Sequence, residues 1–250
     1  MKKSLALLAV LGCFSQSSMA DTTTLSSTAA NWTAAGQAGF HALNQEFGAA
    51  LSYKPVTPAA PLGITGFDIG VEASSTDMSA DAKTAWQNLI PGTSAPTLVI
   101  PKLYAAKGLP FDIDVAAFYS AIPSTSITLT GFALSYAVIG GGMALPAVTI
   151  RGAVTNLSGI NELSFGTRSV DISISKGFLG FTPYAGAGEV WVTGSTTNAA
   201  AAQAGIASES FMQPKVYAGL NINLGLPNFA IEADTTGGIS TYSAKLGLRW

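Results

Sequence analysis

The chain has 250 residues and a formal net charge of −2, with 10% charged and 48% hydrophobic residues. This slightly acidic balance argues against nucleic-acid binding, which needs clustered Lys and Arg. Soluble domains carry about a quarter charged residues. The low charge content therefore favours a protein that faces lipid.

Residues 1–20 have the pattern of a secretory signal peptide. Lys2 and Lys3 give a positive start, an apolar core covers 5–11, and Ser18-Met19-Ala20 is a small-residue cleavage site. We expect this segment to be removed during export.

Cys13 is the single cysteine of the chain. It allows an alternative in which Leu11-Gly12-Cys13 is a lipoprotein signal and Cys13 is lipidated. With conventional cleavage, the mature protein has no cysteine, and therefore no disulfide and no thiolate metal site.

Residues 21–62 are predicted to form an amino-terminal helical segment. Its apolar residues recur at helical spacing, and Gly48 suits a C-terminal cap. We expect the helix to plug the lumen of the following domain or to lie across its periplasmic mouth, and the plug would pack against segments 97–105 and 124–139. The apolar stripe consists of Trp32, Phe40, Leu43 and Phe47, with Gly36 in the same series.

From Gly63 to the carboxyl end, apolar and polar residues alternate with a period of two, which is typical of half-buried strands. We predict ten strands in an antiparallel transmembrane β-barrel over 63–250. The alternation is clearest in the segments 67–73, 111–119, 148–155, 182–192, 216–223, 229–234 and 242–250.

The alternation changes phase in segments 97–105, 124–139 and 162–175. A β-bulge would shift the phase by one residue in the last two. Equally, these strands could be apolar on both faces because one face packs against a plug. Both interpretations stay open at this stage.

Residues 47–53 are a further strand candidate. Because single-chain bacterial barrels have even strand numbers, this candidate makes twelve strands the alternative to ten.

Two other folds are alternatives to the barrel. A soluble periplasmic β-sandwich would also show alternating apolar and polar residues. A transmembrane helix over 131–150 would be interrupted by Gly140-Gly-Gly142 and Pro146.

The connections alternate in length, as in outer-membrane barrels, where periplasmic turns are short and external loops are long. Short Gly- and Pro-rich turns are predicted near residues 106–110, 140–143, 175–178 and 225–228. The longest polar loops are 74–95 and 194–209.

The last strand ends on an aromatic residue, with an apolar face opposite a charged one. It rises about 20 Å along the membrane normal, close to the roughly 25 Å apolar band of such barrels. We interpret its apolar face as the assembly signal, formed by Tyr242, Leu246, Leu248 and Trp250.

If the apolar faces contact lipid, the charged residues opposite them line the lumen. They would form ion pairs that fill the lumen or line a narrow polar passage. The predicted lumen-facing charges are Asp68, Glu72, Lys102, Asp112, Asp114, Arg151, Glu189, Lys215, Glu232, Asp234, Lys245 and Arg249.

The residues predict no enzyme, metal site or cofactor. His41 is the single histidine and lies in the predicted helix, far in sequence from the strands. Asp112 and Asp114 could bind a hard cation, although lumen carboxylates paired with Lys or Arg are the simpler interpretation.

The signal peptide, the alternation and the terminal Trp250 together resemble the outer-membrane β-barrel superfamily of Gram-negative bacteria. The run Gly63-Ile-Thr-Gly-Phe-Asp-Ile-Gly-Val-Glu72 resembles the first strand of a functionally uncharacterised family of such barrels. The resemblance implies residence in outer-membrane lipid, periplasmic chaperones, and insertion by the barrel-assembly machinery. It supplies no catalytic or binding residue and no oligomeric state.

For function, we favour a narrow pore or transport protein for small solutes. The alternative is a structural or surface-interaction barrel that displays its long loops.

Overall fold

The computed structural model describes residues 25–89, 97–122 and 125–250. The predicted signal peptide and Cys13 lie outside these residues. The helices are α1 (Ala29–Leu51), α2 (Ala80–Leu89) and α3 (Ala199–Gln203). The strands are β1 (Phe67–Thr76), β2 (Leu98–Leu109), β3 (Ile113–Ala121), β4 (Thr128–Gly140), β5 (Ala147–Ser158), β6 (Leu163–Ser175), β7 (Phe181–Thr196), β8 (Glu209–Asn223), β9 (Pro227–Thr236) and β10 (Ile239–Arg249).

The ten strands form one closed barrel, in which each strand pairs antiparallel with the next and β1 pairs with β10. The predicted barrel of ten strands with an amino-terminal helix is therefore confirmed. The twelve-strand alternative is wrong, because residues 47–51 belong to α1 and residues 52–55 form no strand. Gly48 does not end the helix as predicted; α1 continues to Leu51, and Ser52 is its C-cap. Among the described residues, no helix is both long and apolar enough to cross a membrane.

The seam between β1 and β10 is closed by the last residue. Trp250 and Phe67 exchange backbone hydrogen bonds of 2.9 and 3.1 Å. Their rings stack with centroids 5.2 Å apart, and the Lys107 ammonium lies 4.4 Å from the Phe67 ring centre. The residues of the predicted assembly signal, Tyr242, Leu246, Leu248 and Trp250, all face outward and are exposed.

The two ends of the barrel differ. At one end, which we call the turn end, short connections join β2 to β3, β4 to β5, β6 to β7 and β8 to β9. At the other, the loop end, lie the two longest connections, which contain α2 and α3. Because Phe67 and Trp250 meet at the turn end, both termini of the barrel lie there.

The strands whose alternation changes phase carry apolar residues on their inward face. Ile100, Leu129 and Phe165 are buried in one cluster with Phe47 of α1. The register of β6 is continuous with both neighbours, and β4 has a single irregularity between Ala137 and Ile139, away from Leu129. Packing against the amino-terminal helix, rather than a bulge, therefore explains the phase changes.

Candidate functional site

The amino-terminal segment runs through the barrel from the loop end to the turn end. Near the loop end, the Gln37 side chain donates to Glu209 and α1 packs on α2. Near the turn end, the Leu62 N–H donates to the Asp114 carboxylate at 3.1 Å. We call residues 47–62 the luminal segment, because the groups that contact them are inward-facing side chains of the wall. The end of α1 and residues 52–62 therefore lie inside the barrel and not across its turn end.

Lys54 is the centre of the polar contacts between the luminal segment and the wall. Its ammonium lies 2.8 Å from Asp234 Oδ1, and both side chains are completely buried (0% exposed). The same ammonium donates to the Ala49 carbonyl at 2.5 Å and to the Ser52 hydroxyl at 3.4 Å. A buried ammonium needs such partners, because desolvation of an unpaired charge is costly.

The wall also satisfies the backbone of the luminal segment. Lys215 donates to the Tyr53 carbonyl at 2.6 Å, and the Val56 N–H donates to Glu232 at 3.0 Å. Thr149 donates to the Ala59 carbonyl at 2.5 Å, and Arg249 donates to the Ala60 carbonyl at 3.1 Å. Irregular backbone is stable inside a barrel only where its polar groups are paired in this way.

Other charged groups of the wall pair with one another. Lys245 lies 2.7 Å from Asp68, and Lys102 lies 2.6 Å from Glu72. Arg151 lies 3.2 Å from Asp171, and all these side chains are at most 4% exposed. The lumen is therefore filled by neutralised pairs as well as by the luminal segment.

An apolar layer lies above these pairs, towards the loop end. The Phe47 ring contacts Phe165 and Trp86 edge to face, with centroids 5.6 and 6.2 Å apart. Val190 and Val192 of β7 are completely buried in the same cluster. Near the turn end, a cavity beside Arg151 and Arg249 has a volume of about 20 Å³, room for about one water molecule.

A helical cap covers the loop end, formed by the first half of α1 with α2 and α3. Trp32 is buried in a second apolar cluster with Met78 and Ala201, and its indole N–H donates to the Ser26 carbonyl at 2.8 Å. The helix is interrupted at Gly36, whose φ of 64° lies in the left-handed region that favours glycine. The cap therefore extends the amino-terminal segment beyond the strands.

Two of the predicted lumen charges lie elsewhere. Asp112 is exposed in the turn between β2 and β3, where Phe111 and Asp112 both have positive φ. Glu189 faces outward, because it pairs in register with Val170 and Pro214, which are exposed on the outer wall. The other predicted charges are on the inward face: Asp68, Glu72, Lys102, Asp114, Arg151, Lys215, Glu232, Asp234, Lys245 and Arg249.

Sequence reasoning missed three buried charges. Asp171 follows the phase change of β6 and was not assigned to either face, and Lys54 lies in a segment without periodicity. Glu46 is buried on α1 and accepts from the Ser79 N–H at 2.8 Å, which ties α1 to the start of α2. Its position three residues after Leu43 of the apolar stripe, on the same side of the helix, was the available signal.

His41 has a structural environment. Its Nδ1 lies 3.0 Å from Glu209 Oε2, and its ring lies 4.7 Å from that of Phe211. Within the described ranges, no group of three or more His, Cys, Asp or Glu side chains could hold a metal ion.

The fold is a closed antiparallel β-barrel, and solved structures of outer-membrane proteins are similar to it. OprG of Pseudomonas aeruginosa is 12% identical over 78% of this chain and 99% of its own, with a TM-score of 0.34. Ail of Yersinia pestis is 15% identical over 74% and 97%, with a TM-score of 0.27. A loop-deletion mutant of OmpT of Vibrio cholerae is 13% identical over 61% of this chain, which spans about half (54%) of that protein, with a TM-score of 0.31. Neither a protein-family model nor a curated protein matches the chain.

Proposed function

We propose that this chain is an integral outer-membrane β-barrel whose lumen is closed by its own amino-terminal segment and which acts at the cell surface through its helical cap. The location is supported by the outer wall. Exposed apolar residues cover it on every strand, for example Ile69, Leu103, Phe132, Ile172 and Leu246. A soluble protein rarely exposes so large an apolar surface, whereas a barrel in lipid requires it.

The orientation follows from the connections. Outer-membrane barrels keep short turns in the periplasm and long loops outside. On that rule, the helical cap faces the exterior and the seam residue Trp250 faces the periplasm. Export by a cleaved signal peptide over 1–20, with periplasmic chaperones and the barrel-assembly machinery as biogenesis partners, belongs to the same proposal.

The buried pair of Lys54 and Asp234 is the observation that carries the closed lumen. The wall carboxylate and the ammonium of the luminal segment neutralise each other, and both side chains are completely buried. This region therefore has no accessible space through which a small ion could pass. This arrangement favours the structural or surface-interaction function over an open pore. It also argues against catalysis in the lumen, which would need a cleft that admits a substrate.

A gated passage is the second candidate, and one observation favours it. The luminal segment is held by ion pairs and hydrogen bonds that can break, and its release would leave Lys215, Glu232 and Asp234 lining an open lumen. A narrow polar passage for small solutes would then result.

Conductance in planar bilayers tests the proposal. The full-length protein should give no stable current steps, and a chain that starts at Gly63 should conduct because its lumen is empty. Heat-modifiable migration on gels verifies that each variant has folded. Stable steps from the folded full-length protein would overturn the closed lumen. Steps that appear only above a threshold voltage, and at a lower threshold in Lys54→Met, would favour the gated passage.

A further inference from the structure

Arg168 is an exception on an apolar wall. It is exposed on the outward face of β6, directly between Val154 of β5 and Trp191 of β7 in the strand register. No hydrogen bond or ion pair joins its guanidinium to another residue in the described part of the chain. Arginine always carries its charge, and in a lipid-facing wall an anionic group from outside the protein can pair with it.

The level of Arg168 on the wall is that of a membrane interface. Its register partner Trp191 is half-exposed, and aromatic residues gather at the interfaces of such barrels. Two residues along β6 towards the turn end, the outward residue is Val170. Two residues towards the loop end, the outward residue is Gly166, and its register partners are Asn156 and Thr193. Arg168 therefore marks the boundary between apolar wall and polar rim.

A groove of about 850 Å³ opens at this boundary. Gly166, which has no side chain, is among the residues that line it, together with Arg168, Trp191, Asn156, Ser164 and Ser210. The groove thus combines the guanidinium of Arg168 with apolar side chains, several hydroxyl groups and one amide. Glu189 lies on the same outer face, one pair nearer the turn end, and forms no ion pair with Arg168.

We propose that this groove binds the phosphorylated headgroup of an anionic lipid in the outer leaflet, with Arg168 on the phosphate. Guanidinium forms charge-assisted, bidentate hydrogen bonds with phosphate. The polar side chains above it suit the hydroxyl groups of a sugar headgroup, and Val154, Val170 and Trp191 contact the start of the acyl chains. The inference rests on the proposed outer-membrane location.

The test measures lipid retention by the folded full-length protein in non-ionic detergent, using native mass spectrometry. The probes are diphosphorylated lipid A and the same glycolipid without phosphate. The wild type should retain the phosphorylated form about tenfold more tightly, and Arg168→Gln should remove that preference. Arg168→Lys should keep part of it, because the charge remains but the bidentate geometry is lost. Lys83→Gln, an exposed cation on α2, is the matched control and should bind as the wild type does.

Equal retention of both lipids by the wild type, or equal retention by wild type and Arg168→Gln, would overturn the inference. So would a dimer of this chain that Arg168→Gln dissociates, because the groove would then hold a second copy. Resistance to carbonate extraction is measured separately. A protein that fails it contradicts the outer-membrane proposal, whereas an inserted protein without phosphate preference contradicts the lipid site alone.

Discussion

Replacing Lys54 with Met should destabilise the protein strongly. The substitution keeps the length of the side chain and removes its charge, so Asp234 stays buried with Thr236 as its remaining side-chain partner. The Ser52 hydroxyl loses its donor as well, and the Ala49 carbonyl keeps only the hydrogen bond from the Ser52 hydroxyl. Removing one partner of a buried pair costs about 3–5 kcal/mol, and we expect the free energy of unfolding to fall by that amount.

The exposed pair of His41 and Glu209 provides the matched control. Its side chains are 42% and 12% exposed, against 0% for both members of the buried pair. Pairs this accessible to water contribute about 0–1 kcal/mol, so His41→Gln should have a small effect. A double variant, Lys54→Met with Asp234→Asn, should recover much of the loss because no unpaired charge remains.

Urea unfolding in detergent micelles, followed by tryptophan fluorescence, measures all three variants. The reasoning is refuted if Lys54→Met loses no more than His41→Gln. That result would mean that Lys54 is solvated and that the luminal segment does not occupy the barrel.

Three further substitutions and one control test the packing and the seam. Phe47→Ala should lower the free energy of unfolding by about 3–5 kcal/mol, since it opens a cavity in the apolar layer; a loss below 1 kcal/mol would contradict that layer. Trp250→Ala removes the ring that closes the seam, and we expect less inserted protein in membrane fractions; a wild-type level would argue against its role in assembly. Gly219→Ala should cost about 1–3 kcal/mol, because a Cβ there would lie 2.3 Å from the Tyr184 ring and 2.6 Å from a backbone oxygen. Gly142→Ala, with nothing within 4 Å, should be neutral, and equal effects at the two glycines would refute the tight contact.

The barrel could be predicted from the sequence because its outer wall imposes a rule on every strand. Outward positions in the lipid-facing band are mostly apolar whatever the partner strand is, so alternation identifies strands without knowledge of their neighbours. The seam could also be anticipated, because Trp250 ends the strand that must meet the first one.

The inner face obeys no such rule, and there the prediction was weaker. The rule that apolar faces contact lipid sends the apolar face of segment 182–192 outward, yet Tyr184, Val190 and Val192 on that face are buried inside the barrel. Val190 and Val192 pack in the apolar cluster with Phe47 of α1, so the sequence pattern places Glu189 on the wrong face. Trp191, two residues along the strand from Glu189, carried the correct signal.

Asp112 shows a second limit, the end of a strand. The alternation of Phe111 with Ile113 extends one pair too far, because the chain turns with positive φ at Phe111 and Asp112 without any glycine. Lys54 shows a third. A coil has no periodicity, and its partner Asp234 is distant in sequence, so only the structure reveals the pair.

On the proposed orientation, the amino-terminal segment threads the barrel and the cap lies outside the cell. Cysteine labelling with a membrane-impermeant maleimide on intact cells tests it most directly. Ala34 is exposed on the cap and Met143 is exposed in a turn at the opposite end, so Ala34→Cys and Met143→Cys form a matched pair. The protein without either substitution controls for label on Cys13. We predict that Ala34→Cys is labelled on intact cells and Met143→Cys only after the outer membrane is permeabilised; the reverse pattern would contradict the account.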